Sequence, residues 1–352
     1  MTSNQTSPND LDCDGFNPNQ DIVAVLSFLM FPVALLLNGV AAWVSMHLKS
    51  TSTFMVYLKN LVAADIIMTL ISPIDAASEL RNRSKEVLIV SCYTSPIFYS
   101  TQYTSITLLG FISLDRFFKI MMPRSMLLAQ NLTFSKLLSG LAWVILFGGT
   151  ALPNIILSNQ PVVNMTEFTS CMTLKGAAGL EFHERTVIYL NVYFWLISVV
   201  IVVCYICITN KVIQSFRNSG SSNNKGKHKV KLRVFLVVIV FFLSFGPYHI
   251  VRIPYTFQQV SSTYSSDCSY FAGRFAKEIS LWVANTSICL NPLLYNFLCR
   301  EFKEKLMSMI QNLSIFFRAA GKTKEQEAEK ERVFHLEENW QTDWDCDKIA
   351  TQ

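Results

Sequence analysis

The chain has 352 residues, of which 51% are apolar and only 16% charged, and its mean hydropathy is +0.32. A globular domain carries about 25% charged residues, so this composition excludes a soluble enzyme, a disordered chain and a nucleic-acid binder. The net charge of +5 decides little by itself, because in a membrane protein the side that carries Lys and Arg matters more than their number.

A helix needs about 20 mostly apolar residues to cross the hydrocarbon core. In chain order, seven stretches meet that need: 22–47, 54–79, 90–121, 134–158, 186–212, 232–258 and 272–298. The second and third are the most polar, with Asp65, Asp75 and several Ser, Thr and Tyr inside them. The expected fold is all-α, a polytopic seven-transmembrane helix bundle with a short amphipathic eighth helix. Residues 1–21 form a tail, 22–298 the bundle, 299–319 the amphipathic helix and 320–352 a polar, charge-mixed tail. No internal repeat is visible, which weighs against the repeat-built transporters.

Residues 1–20 lack the basic and apolar regions of a cleavable signal peptide, so the first span is expected to serve as its own signal. Its upstream flank carries Asp10, Asp12, Asp14 and Asp21 and no Lys or Arg. Basic residues gather instead at 211–233, at 116–136 and after the last span, where Arg300, Lys303 and Lys305 lie. The positive-inside rule then puts the N-terminus outside the cell and the C-terminus in the cytoplasm. Under this topology the sequons at Asn4, Asn82 and Asn164 face outward, where they can be glycosylated, and those at Asn131 and Asn312 face inward.

Of nine cysteines, Cys13, Cys92, Cys171 and Cys268 fall on the outer side. Four cysteines in an oxidising compartment allow three pairings. The placement of Cys92 at the top of the third span favours a bond to Cys171 in the second outer loop, which leaves Cys13 with Cys268. Cys299, just past the seventh span, is a candidate for lipidation.

Several short motifs lie at matching depths: Asn38, Asp65, Leu114-Asp115-Arg116-Phe117, Trp143, Pro247 and Asn291-Pro292-Leu293-Leu294-Tyr295. In this order and at these separations the chain resembles the rhodopsin-like G-protein-coupled receptors over its whole helical core. Tyr57-Leu58-Lys59-Asn60, the run 152–157, Gly246 to Thr256 and Lys277-Glu278 are similar to the metabotropic purinoceptors, in the branch of the ADP and UDP-sugar receptors. The resemblance implies a plasma-membrane receptor for an extracellular nucleotide or nucleotide sugar. It would activate a heterotrimeric G protein of the Gi type, with membrane lipids as its surroundings and no cofactor.

His249, Arg252, Tyr255 and Gln259 recur every three or four positions, so a helix presents them on one face. With Tyr99 and Tyr103 of the third span, Lys175 of the loop, and Lys277 and Glu278 of the seventh, they bring cations and aromatic rings to one rim. Arg grips phosphate with a planar fork, Lys as a point charge, and a tyrosine offers a face for a base. In the resembling family the corresponding positions bind the nucleotide. Glu278 beside Lys277 can also neutralise it.

The chain departs from that family's pattern in four places. Asp75 stands where a basic residue is common, and Val187 where an Asn is common. The stretch from Cys92 to Phe98 is one residue short, and the tryptophan of the first outer loop is missing. At the inner end, the resemblance implies a switch in which Asp115 restrains Arg116. The sixth span then swings outward about Pro247, with Tyr205, Asn291, Pro292 and Tyr295 taking part. It also implies a sodium site at Asp65, Ser105, Ser287 and Asn291.

Two alternatives use the same residues otherwise. A receptor of this fold for an anionic lysophospholipid would use the same basic rim with an apolar channel. A transporter or membrane enzyme would need a second charged pathway, a metal cluster or a nucleophile–base pair, and none is visible.

Overall fold

Polar residues between the apolar runs start the helices. The Ser52 hydroxyl accepts from the Met55 amide and the Ser84 hydroxyl from the Val87 amide, each at 3.3 Å. The side-chain oxygen of Asn131 accepts from Thr133 at 2.8 Å. Each such cap satisfies amides that the first helical turn leaves without partners. The computed structural model describes residues 21–122, 131–161, 170–218, 224–260, 268–312 and 314–315. Asn4, Cys13, Asn164 and the side chain of Cys268 lie outside the described residues, and with them the expected Cys13–Cys268 bond.

Helices α1 (Asp21–His47), α2 (Thr53–Glu79) and α3 (Lys85–Met121) are the first three spans. The fourth is α4 (Leu132–Leu146) and α5 (Leu152–Ile156), joined by a π-helical turn at Phe147–Ala151. A 3₁₀ turn at Cys171–Leu174 precedes α6 (Ala177–Asn218) and α7 (Asn224–Val260), the fifth and sixth spans. The seventh is α8 (Cys268–Asn285) and α9 (Ser287–Leu298). Residues 300–312, a separate unit from 299 onward, are also helical. There the Cys299 thiol is buried and accepts from the Phe302 amide at 3.4 Å, a poor disposition for acylation.

Five of the spans are helices long and apolar enough to cross a membrane. The third falls short because its polar residues turn inward: Ser100, Thr101, Gln102, Thr104 and Ser105 are all buried. The seventh is interrupted at Thr286. The outward faces carry Leu29, Leu36, Met46, Val144 and Leu196, each more than half exposed, which suits contact with lipid tails. Helix α6 begins nine residues before the predicted span at 186. The edge of the hydrocarbon does not end a helix, and Glu181 and Arg185 close an i,i+4 ion pair on the overhang at 2.6 Å.

Polar bonds fix how the spans meet. Pro292 has no N–H to give the carbonyl four residues earlier. That carbonyl, on Ile288, accepts instead from Asn38 Nδ2 at 2.9 Å. The same amide donates to Ala34 O at 3.0 Å and Thr69 Oγ1 at 3.4 Å, so one side chain joins the first, second and seventh spans. Trp143 donates to Asn60 at 3.2 Å and joins the fourth to the second. An apolar cluster of Ile106, Phe194, Phe241, Phe245 and Tyr248 packs the third, fifth and sixth together.

Asn38→Ala would leave the Ile288 carbonyl buried and unpaired. It is expected to cost about 1–3 kcal/mol, read as a lower thermal unfolding midpoint of the purified protein. Ser139→Ala, which deletes only a bond within its own helix, is the control and should move the midpoint far less.

Candidate functional site

The outer half of the bundle holds a cavity of about 840 Å³. Three local devices shape it. Pro153 cannot donate to Gly149, and the π-helical turn at Phe147–Ala151 precedes it and aims Asn154 at the loop. The Cys92–Cys171 disulfide, with Cα atoms 5.3 Å apart, ties the loop to the third span. Leu174 is buried against Leu88 and Cys92, which leaves Lys175 at the cavity wall. Gly179 lets α6 start close by: a Cβ there would lie 2.8 Å from the Leu157 carbonyl oxygen.

The Lys175 ammonium donates to Asn154 O and Asn154 Oδ1 at 3.2 Å each and to Ser158 Oγ at 3.0 Å. All three acceptors are neutral. Burial without a carboxylate pulls its pKa from 10.5 down to about 8.

Arg252 is 7% exposed and lines the cavity. Its guanidinium carbon lies 5.3 Å from the Tyr99 ring centroid and 5.9 Å from that of Tyr248, two rings stacked at an interplanar angle of 8°. Among the described residues it makes no ion pair. Lys277 sits with its ammonium 5.8 Å from the Tyr255 ring. Tyr99, Tyr103, Lys175, Arg252, Tyr255, Gln259, Lys277 and Glu278 all line this one cavity.

His249 does not. Its ring is buried beside the cavity, stacked on Phe194 at 3.6 Å, with Nδ1 2.8 Å from Phe245 O and Nε2 3.0 Å from the Tyr103 hydroxyl. It lies one turn deeper than Arg252 and positions Tyr103. Glu278, which lines the cavity, accepts from Arg274 Nε at 2.7 Å, while Arg274 Nη2 reaches Glu79 at 3.0 Å. Arg274 thus bridges the second and seventh spans.

Arg274 and His183 are cavity residues that the sequence reading missed. The i,i+4 spacing of Arg274 and Glu278 was a signal, as was the spacing of His183 and Val187. The Nε2 atom of His183 is buried with no hydrogen-bond partner among the described residues.

At the inner end, Asp115 is bonded to Thr53 and Lys119, the latter at 2.8 Å, where the sequence reading pairs it with Arg116. Arg116 lies 4.4 Å above the Phe54 ring. Midway, buried Asp65 accepts from Asn291 at 3.0 and 3.2 Å and from the Tyr295 hydroxyl at 2.5 Å. The Ser105 hydroxyl is buried without a partner among the described residues. Asp65 is therefore met by two of the switch residues and not by the serines.

Residues 37–295 match the family model described as 7 transmembrane receptor (rhodopsin family). The chain is 39% identical over 292 residues to purinoceptor 13 of Homo sapiens, covering 82% of this chain and 81% of that one. It is 36% identical over 288 residues to purinoceptor 14 of Bos taurus, with 82% and 85% covered. G-protein coupled receptor 87 of Mus musculus is also 36% identical over 288 residues, with 81% and 79% covered.

The environment of Lys175 makes its amine a nucleophile near neutral pH. Competitive acetylation with peptide mapping should give it a midpoint at about 8, against the ordinary 10.5. Below that midpoint it is a cation and above it is not, so any anion it holds is released as the pH rises.

Proposed function

The chain belongs to the rhodopsin family of seven-transmembrane receptors, a signalling receptor and not an enzyme, and from there we propose that its ligand is an extracellular nucleotide of the ADP or UDP-sugar kind. One observation carries this reading. A guanidinium almost wholly buried at a cavity wall, faced by stacked tyrosines and without a carboxylate among the described residues, calls for an anion brought from outside. The aromatic rings beside it suit a base, and relatives named purinoceptors support the same class.

In this reading the outer half faces the extracellular side, with the N-terminus outside and exposed Asn82 available for glycosylation. Phosphate sits against Arg252 with Lys175 and Lys277 near it, and Tyr99 and Tyr103 flank the ring system. The signal passes inward through the sixth span, whose Pro247 lacks one backbone hydrogen bond and permits a hinge. Its outward movement would expose Arg116 to a Gi-type G protein. A ligand drives this only by binding the open form more tightly than the closed one. The cluster of Asp65, Asn291 and Tyr295, with Ser105 and Ser287 near in depth, is the place for a sodium ion that would favour the closed form.

Arg252→Ala is expected to cost about 2–5 kcal/mol of nucleotide affinity, roughly 30-fold or more in potency. Arg252→Lys should recover part of it, since the ammonium keeps the charge and loses the fork. The measurement is Gi activation by ADP, UDP-glucose and a lysophospholipid. Unchanged potency for both nucleotides in Arg252→Ala would refute the site, and a response confined to the lipid would transfer it to that ligand class.

Arg116→Ala lies about 30 Å away across the membrane. It should abolish G-protein activation and leave ADP binding within about threefold. Normal signalling by a well-expressed variant would remove Arg116 from the mechanism.

A further inference from the structure

The inner ends of the second and third spans meet in a closed ring of three side chains. The Thr53 hydroxyl donates to Asp115 Oδ1, and the Lys119 ammonium donates to Thr53 Oγ1 and to Asp115 Oδ2 at 2.8 Å each. Thr53 opens α2 and Asp115 lies near the end of α3, so the ring fastens one helix to the other. Asp115 is 3% exposed, while the Lys119 side chain is 36% exposed and reaches in from the edge of the bundle.

Both carboxylate oxygens thus have donors other than Arg116. Helix geometry explains the choice. Residues four apart stand one above the other, an acid ahead of a base being the better order, whereas chain neighbours point to different sides. Asp115 and Lys119 have the first spacing, Asp115 and Arg116 the second. The Arg116 guanidinium lies instead 4.4 Å above the ring of buried Phe54. A ring face holds a guanidinium less firmly than a buried carboxylate would.

Loss of the Lys119 ammonium would leave Oδ2 of a buried carboxylate without its donor, which is costly. Lys59, a cation at the same end of the second span, is engaged with the Leu48 carbonyl at 2.6 Å. Arg116 is the nearest cation along the chain and has the reach to replace Lys119.

We propose that Lys119 is a positioning residue of the inner switch: it occupies Asp115 and so keeps Arg116 off that carboxylate while the receptor rests. Arg116 then does not have to leave Asp115 when the sixth span moves, and the receptor has measurable activity without ligand. This rests on the reading of Arg116 as the group that meets the G protein.

The test uses the full-length receptor in nanodiscs with two readouts. The first is the unfolding midpoint, which needs neither ligand nor G protein. Arg116→Ala is expected to lower it by about 2–4 °C more in Lys119→Met than in the unmodified chain, because only there does Arg116 hold Asp115. Equal shifts in the two backgrounds overturn the proposal. The second is ligand-free nucleotide exchange on purified Gi, per folded receptor. Lys119→Met is expected to lower it roughly tenfold, the equivalent of one charge-assisted hydrogen bond, and Lys119→Arg to restore most of it. With Asp115→Asn already in place, Lys119→Met should have little effect.

An unchanged rate in Lys119→Met overturns the proposal. So does an equal fall with Asp115→Asn in place, which would make Lys119 a direct contact of the G protein. Silence of the unmodified receptor without ligand, where ADP makes it active, overturns it too. If the unmodified receptor drives no exchange even with ADP, the Gi or the nucleotide reading fails. The unfolding midpoints then decide alone whether Lys119 keeps Asp115 from Arg116.

Discussion

The structure depends on one constraint: a polar group inside the bilayer must find its partner inside the protein. Proline in the seventh span breaks a backbone bond in the interior, and Asn38 supplies the missing donor at 2.9 Å. The first span is fixed against the seventh by that repair. Asp65 repeats the logic a turn further in, since its carboxylate is buried and takes donors from Asn291 and Tyr295. Such bonds can exist only in one arrangement of helices. They select the bundle's geometry where apolar contacts alone, equally content with lipid, would not.

The outer half uses the same constraint in reverse. Lys175 is satisfied by neutral oxygens, Arg274 by two carboxylates, and Arg252 by ring faces without an anion among the described residues. These three cations of one cavity thus stand in three different states of compensation. Only the last is left with a strong demand on what enters. Tyr103 is held for that role from beneath by His249, which itself rests on Phe194.

Most of the architecture was legible in the sequence because hydrocarbon length imposes itself on every span. The third span was readable in spite of its serines and threonines, and their burial explains why hydropathy understates it. The helical overhang of α6 was not readable, since nothing in bilayer thickness stops a helix in water. That Tyr99, Arg252, Lys175 and Lys277 line one cavity was legible in their spacing and chemistry. His249 shares that spacing, yet periodicity gives the face of a helix and not its depth, and one turn took it below the cavity. Glu278 was read beside its chain neighbour Lys277, and helix geometry adds Arg274, four residues back, as its hydrogen-bond donor.

The π-helical turn at Phe147–Ala151 has a consequence for how sequences of this kind tolerate change. An α-helix rotates about 100° per residue, so loss of one residue below Pro153 would swing Asn154 to another side. A wide turn holds one residue more than the helix needs and can therefore absorb the loss of one residue at that place. Gly148 and Gly149 have nothing within 4 Å of where a Cβ would sit, so no neighbouring atom dictates which residues stand there. The fourth span thereby has a register joint, with the half bonded to Asn60 on one side and the cavity-lining half on the other. Loss of one residue at this joint would leave in place both the cavity-facing Asn154 above it and the bond between Trp143 and Asn60 below it.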